Sequence, residues 1–169
     1  MRYLSYAVLL ILSFIFQSTL CEVIALLGIK PNLILITIVS ISLLRGELEG
    51  AAAGFLGGLL LDLYSPFIGL NAFICMIIGY ITGIFTVGLY KENPFVPVIT
   101  VFIVTFMYEF VFYIFSILLK GYTNFVYFFQ TIFLREMVYN ALFALVVYGI
   151  VYFVNSRLEA KEHFKRKLF

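Results

Sequence analysis

Six apolar stretches separated by short polar breaks organise the chain. They cover roughly residues 3–20, 31–44, 47–64, 69–89, 94–119 and 135–155. Apolar runs of about 20 residues are long enough to cross the hydrocarbon core of a bilayer as helices. The pattern therefore predicts an all-α, polytopic membrane protein. Residues 1–155 would form a six-helix transmembrane bundle, and residues 156–169 a charged cytoplasmic tail.

Composition supports lipid as the surrounding solvent. Hydrophobic residues make up 64% of the chain and charged residues 12%, with a mean hydropathy of +1.12. Soluble domains carry about 25% charged residues, so this chain has too few polar side chains to cover a soluble core. The net charge of +2 gives no indication of a nucleic-acid partner. Cys21 and Cys75 form no metal-binding or disulfide pattern, and we expect no metal or cofactor.

The first two apolar stretches leave alternatives to weigh. Residues 3–20 are long for the hydrophobic region of a secretory signal, and no small-residue cleavage site follows them, which favours a retained first helix. The second helix, which we place from Pro31 to Leu44, would be only about 20 Å long. It is therefore either shielded by neighbouring helices or longer than this boundary suggests.

Small residues recur at every fourth position of the third and fourth helices. Residues four apart lie on one helix face, and positions without a side chain let another helix approach closely. We predict that these two helices, joined by a short turn, pair as a close antiparallel hairpin. The positions are Gly50, Gly54, Gly58 and Asp62 in the third helix and Asn71, Cys75, Gly79 and Gly83 in the fourth.

Four polar side chains within the apolar stretches are candidates for a functional role, because such groups are costly in lipid unless paired or wetted. Asp62 is either a hinge, ligand or proton site, or a helix-end carboxylate that caps the next turn or bonds Asn71. Glu109 is either a proton-coupling group or a protonated carboxyl bonded to a neighbouring helix. Glu136 and Asn140 share a helix face. We hypothesise that they meet Glu109 or Asp62 in one internal polar cluster.

The remaining features concern catalysis and orientation. The chain contains no recognisable catalytic motif, and its lone histidine, His163, lies in the basic tail, so enzyme activity is not expected. With six spans, eight Lys and Arg residues fall on the side of the two termini and three on the other. Positive residues favour the cytoplasmic side, which predicts that both termini are cytoplasmic.

A series of short motifs resembles the rod shape-determining protein MreD family over nearly the whole chain. The motifs are Gln17-Ser18-Thr19, Pro31-Asn32-Leu33, Leu44-Arg45-Gly46, Gly50, Gly54-Phe55, Gly58-Leu59, Asp62-Leu63, Gly69-Leu70-Asn71-Ala72, Gly79-Tyr80 and Tyr139-Asn140. The resemblance implies a bacterial inner-membrane component of the cell-elongation machinery. It implies an association with the bitopic protein MreC and, through it, with the MreB filament and the peptidoglycan synthases. It also implies a fold like that of the substrate-binding subunits of energy-coupling-factor (ECF) vitamin transporters.

Two functions follow as expectations. The first is a non-enzymatic scaffold, in which the small-residue helices form a rigid core and an outward groove receives a partner's transmembrane helix. Aromatic residues of the fifth and sixth helices are candidates to line that groove, and the basic tail is a candidate to meet anionic lipid. The alternative is the substrate-binding subunit of a vitamin-type membrane transporter.

Overall fold

The computed structural model describes residues 2–23, 30–85, 95–120 and 128–166. All regular secondary structure in these residues is helical, which confirms the predicted all-α class for this part of the chain. Its elements are α1 (Arg2–Val23), α2 (Leu33–Arg45), α3 (Glu47–Asp62), α4 (Leu70–Phe85), α5 (Phe95–Lys120), a π-helical turn (Phe129–Phe133) and α6 (Leu134–Arg166).

Helix α2 is the centre of the bundle. It contacts all five other α-helices, and its residues from Ile34 to Leu44 are all buried. Its sequence is apolar on every side, as expected of a helix surrounded by protein. The hydroxyls of Ser40 and Ser42 are also satisfied there, because they donate to the carbonyls of Ile36 and Ile38 one turn earlier. Of the two alternatives for this short helix, the structure shows the first: its neighbours shield it.

Helix α2 begins later than the sequence suggested. Pro31 precedes the helix, and Asn32 is the residue that caps it. The Asn32 side chain accepts a hydrogen bond from the Leu35 amide at 3.1 Å, which satisfies one of the donors left open at a helix start.

Helices α5 and α6 contain the two segments, within the described residues, that are long and apolar enough to cross a membrane. These segments are Phe95–Phe115 and Leu134–Ala160. Three further apolar helices are shorter, so the full set of six membrane crossings stays a prediction. Helix α6 also continues through the boundary that we placed at residue 155 and ends at Arg166. The reason is that good helix formers such as Leu158, Glu159 and Ala160 follow that boundary.

A polar cluster joins α1, α2 and α6 at one end of the bundle. The Arg45 Nε atom donates to the Tyr6 hydroxyl at 2.8 Å and to Asn155 Oδ1, which also accepts from Tyr6 at 3.0 Å. Glu159 completes the cluster, accepting from Asn155 Nδ2 at 3.1 Å and lying 3.8 Å from Arg45 Nη1. We call these four residues the Arg45 cluster. It places the start of α1 and the last turns of α6 at the same end of the bundle.

Candidate functional site

A polar cavity of about 360 Å³ lies at the end of the bundle opposite the Arg45 cluster. The last turns of α1 and α3, the capping residue of α2 and the start of α6 form this end of the bundle. We call the cavity the polar pocket. Its lining residues are Gln17, Lys30, Asn32, Leu61, Tyr108, Glu109, Ile132 and Glu136.

Asn140 connects three helices beside the polar pocket. The side chain is completely buried, and its Oδ1 accepts a hydrogen bond from the Asn32 backbone N–H at 2.7 Å. Its Nδ2 donates to Thr105 Oγ1 of α5 at 3.1 Å. One side chain on α6 therefore accepts from a backbone N–H at the start of α2 and donates to a hydroxyl on α5. Both bonds matter because an unpaired polar group in lipid is costly.

Glu109 of α5 and Glu136 of α6 both line the polar pocket, and their side chains are close enough to interact with each other. Glu136 also interacts with the Asn140 side chain. The structure brings Glu109, Glu136 and Asn140 together, the grouping that we hypothesised from their positions in the sequence.

Asp62 lies outside this grouping and holds the start of α4. Its Oδ2 accepts hydrogen bonds from the backbone N–H groups of Gly69 at 2.9 Å and Ala72 at 3.2 Å, and its Oδ1 accepts from Asn71 at 3.0 Å. A carboxylate at a helix start satisfies open amides and complements the helix dipole. This geometry corresponds to the helix-end alternative for Asp62, which bonds Asn71 through the Asn71 backbone N–H and also caps the start of α4.

A chain of hydrogen bonds connects Asp62 to the polar pocket. The Asn71 side chain accepts a hydrogen bond from the Tyr108 hydroxyl at 2.9 Å, while its backbone N–H is held by Asp62. Tyr108 lines the pocket, whereas Asp62 is not among the described residues that line it. Of the two carboxyl groups that we considered for this cluster, Glu109 therefore belongs to it, and Asp62 is connected to it through Asn71 and Tyr108.

Helices α3 and α4 are packed backbone to backbone. Five glycines with a spacing of four residues along these helices face the opposite helix. An added Cβ atom at any of them would clash with backbone atoms at the opposite helix. Three of these glycines lie on α3 and two on α4, and together they explain why no side chain fits between the two helices. The positions in question are Gly50, Gly54, Gly58, Gly79 and Gly83.

Two other glycines depart from the sequence interpretation. Gly69 was grouped with the packing candidates, but a Cβ there would meet nothing within 4 Å. Its φ of 89° explains the residue instead, because this backbone conformation in the turn before α4 favours glycine. Gly57, which we did not single out, packs against the side chains of Ile34 and Ile38 on α2.

An apolar groove of about 530 Å³ separates α4 from α5. Its walls are mostly aliphatic and come from these two helices, which differs from the expectation that aromatic residues of the fifth and sixth helices line such a groove. The difference arises because α6 packs on α5 and α2, away from α4. The residues that line the groove are Phe73, Ile74, Ile77, Ile78, Ile81, Thr82, Phe85, Thr100, Ile103, Val104, Met107, Val111 and Phe115.

A sequence model of the family described as rod shape-determining protein MreD matches residues 1–156. The chain belongs to the MreD family. It is therefore a membrane protein with a role in rod shape determination, and its family is a component of the shape-determining system rather than a known family of enzymes. Neither the comparison with curated proteins nor that with solved structures gave a match. The predicted likeness to ECF substrate-binding subunits accordingly stays a prediction.

Several residues of these sites were missed by sequence reasoning. Gln17, Tyr108 and Asn155 each make hydrogen bonds to residues distant in the chain. The sequence contained a weak indication of their role, because each is a hydrogen-bonding side chain within an otherwise apolar helix. Arg45 was noted as a positive charge and as part of the motif Leu44-Arg45-Gly46, but its contacts with Tyr6, Asn155 and Glu159 join helices that the sequence does not show to be adjacent.

Proposed function

We propose that the chain is a non-enzymatic scaffold of the bacterial cell-elongation machinery in the inner membrane. Its direct partner is an MreC-type bitopic membrane protein, through which it reaches the MreB filament and the peptidoglycan synthases. The family match supports the shape-determining role. The partners come from the family resemblance, and the structure supplies a surface suited to receive one of them.

The observation that carries this proposal is the apolar groove between α4 and α5. One wall is α4, which is held rigidly because its backbone packs directly on α3. From Phe73 to Phe85 this wall extends about 18 Å along the helix, more than half of the hydrocarbon thickness. In lipid, apolarity alone provides no specificity, so helices select partners through shape and close packing. A fixed concave wall of this length meets that requirement for a single transmembrane helix.

The orientation of the bundle belongs to the same proposal. Both termini are cytoplasmic, so that the end of α6 projects toward the cytoplasm. The excess of Lys and Arg near the termini supports this orientation. The Arg45 cluster also supports it, since it places the start of α1 and the last turns of α6 at one end of the bundle.

Filling the groove tests the scaffold directly. Ile77→Trp and Met107→Trp each place an indole within it, from the α4 and the α5 wall respectively. Overpacking a helix contact costs about 1–3 kcal/mol, so we expect the affinity for a coexpressed MreC-type partner to fall about fivefold or more, measured as partner retained after copurification in mild detergent.

The matched control is Leu142→Trp. Leu142 is 66% exposed on α6 and does not line the groove. This variant should retain the partner as the unmodified chain does, and all three variants should keep its thermal unfolding midpoint. Full retention of the partner by Ile77→Trp and Met107→Trp would show that the groove is not the binding surface. The family match gives no support to the alternative of a vitamin-type substrate-binding subunit.

A further inference from the structure

The polar pocket is lined both by hydrogen-bond donors and by carboxyl groups. The donors include two amide side chains, and the oxygen of each already accepts from a backbone N–H of α2. Gln17 Oε1 accepts from the Ile34 amide at 3.1 Å, and Asn32 Oδ1 accepts from the Leu35 amide at 3.1 Å. The NH₂ ends of these two side chains are therefore the ends that remain for the pocket. Lys30 also lines the pocket and adds a positive charge.

The carboxyl groups of the pocket belong to Glu109 and Glu136. Each has two oxygens with several acceptor positions, so an interaction between the two groups uses only part of this capacity. Both side chains come from the two described helices that are long and apolar enough to cross a membrane. Within such helices, polar groups mark ligand or ion pathways unless they are satisfied locally. Asn140 lies one turn after Glu136 and interacts with it.

We propose that the polar pocket binds a zwitterionic group that carries both an anionic phosphate and a primary ammonium. The phosphate lies against Lys30 and the amide NH₂ groups of Gln17 and Asn32. The ammonium lies against Glu109 and Glu136, to which it donates hydrogen bonds. The cavity of about 360 Å³ is within the usual size range of small-ligand sites.

The arrangement distinguishes this group from other polar ligands. A simple cation would meet the charge of Lys30, and a simple anion would meet the two carboxyl groups. A quaternary ammonium has no N–H to donate to the carboxyl oxygens. The headgroup of an ethanolamine phospholipid and free phosphoethanolamine both carry the required pair of charges, so the chemistry is shared by a lipid source and a soluble source.

Binding to the purified full-length chain in detergent tests the proposal. The probes are an ethanolamine phospholipid and a choline phospholipid with identical acyl chains, measured by native mass spectrometry and thermal shift. Because hydrogen bonds to charged groups are lost with choline, we expect about tenfold tighter binding of the ethanolamine lipid. Equal binding of the two lipids by the unmodified chain would overturn the proposal without any variant being needed.

Isosteric variants locate the site. Glu109→Gln and Glu136→Gln keep side-chain size and should reduce the preference for ethanolamine to less than about threefold. The control Glu47→Gln makes the same change at the start of α3, outside the pocket, and should keep the full preference. An unchanged preference in both pocket variants would place the ammonium elsewhere and contradict the proposal.

Two further measurements complete the assignment. Lys30→Gln should weaken both lipids by a similar factor, because both carry the phosphate; unchanged binding of both would refute the anionic half of the site. Free phosphoethanolamine is then added to the chain in detergent. A thermal shift that depends on Glu109 identifies a soluble zwitterion as a ligand, whereas a shift only with the phospholipid identifies the lipid. The experiment uses the chain alone, so its outcome is independent of whether the groove binds a partner.

Discussion

Single buried polar side chains hold this bundle together at points where several helices meet. Asn140 is the clearest case, since it bonds the backbone N–H of Asn32, which caps α2, and a hydroxyl on α5, while its own backbone is part of α6. Asp62 does the same for the start of α4 with three backbone bonds. In lipid no water replaces a lost partner, so such residues act as structural junctions.

Replacing Asn140 with alanine should destabilise the bundle. The change leaves the Asn32 backbone N–H without its acceptor and removes the hydrogen bond that Thr105 Oγ1 accepts, while the Thr105 hydroxyl still donates to the Val101 carbonyl. Leaving a buried donor unsatisfied costs about 1–3 kcal/mol, so we expect the free energy of unfolding to fall by that amount. Denaturation of the purified chain in mixed micelles measures it.

The control for Asn140→Ala is Val138→Ala on the same helix. Val138 is 51% exposed and does not belong to the junction around Asn140. Its substitution should therefore change the unfolding free energy by less than about 0.5 kcal/mol. Similar effects of the two substitutions would mean that Asn140 does not act as a junction.

At the level of elements, the α3–α4 hairpin is the most closely packed pair of helices. The pairing depends on glycine because backbone atoms of the two helices are in contact, with Gly54 against the Cys75 carbonyl and Gly79 against the Gly50 carbonyl. Helix α2 packs differently, because side chains rather than backbone atoms surround it on all sides. Gly57 of α3 provides the space for Ile34 and Ile38.

A pair of glycine substitutions separates packing from helix propensity. Gly54→Ala places a methyl group onto the Cys75 carbonyl, whereas Gly149→Ala on α6 meets nothing within 4 Å. Both changes replace helical glycine by the best helix former, so propensity favours both equally. We expect Gly54→Ala to lower the unfolding free energy by about 1–3 kcal/mol and Gly149→Ala to leave it unchanged or slightly raised. Thermal unfolding in detergent that is unaffected by Gly54→Ala would remove the basis for a rigid hairpin.

At the scale of the whole molecule, the two ends of the bundle differ in character. One end carries the Arg45 cluster, which binds α1, α2 and α6 to one another. The opposite end carries the polar pocket, and the apolar groove lies on the side of the bundle between α4 and α5. The proposed partner surface and the proposed ligand site are therefore separate, because Tyr108 and Glu109 line the pocket while Val104 and Met107 line the groove.

Reporter fusions test the orientation of the whole molecule. With both termini cytoplasmic, a reporter that is active only after export should be inactive when fused after Phe169 and active when fused after Lys120. The physical reason is the excess of positive residues on the side of the termini, which resists translocation. An active exported reporter at Phe169 would contradict both the six-span arrangement and the cytoplasmic placement of the tail.

The sequence by itself determined the helical class, the positions of most helices and the family. These properties depend on composition and on residues close together in the chain: apolar runs of helical length, Gly54 and Gly58 at a spacing of four, and motifs such as Pro31-Asn32-Leu33 in order. The match over residues 1–156 reflects the same local information.

Only the tertiary structure decided which polar groups meet. Asn32 and Asn140 are 108 positions apart, and Tyr6 and Asn155 are 149 apart, so no periodicity indicates their contact. The same holds for the groove, whose walls depend on α6 packing away from α4. Helix formation follows from the local chain, whereas the choice of neighbours in lipid follows from shape and a few hydrogen bonds, which exist only once the helices are assembled.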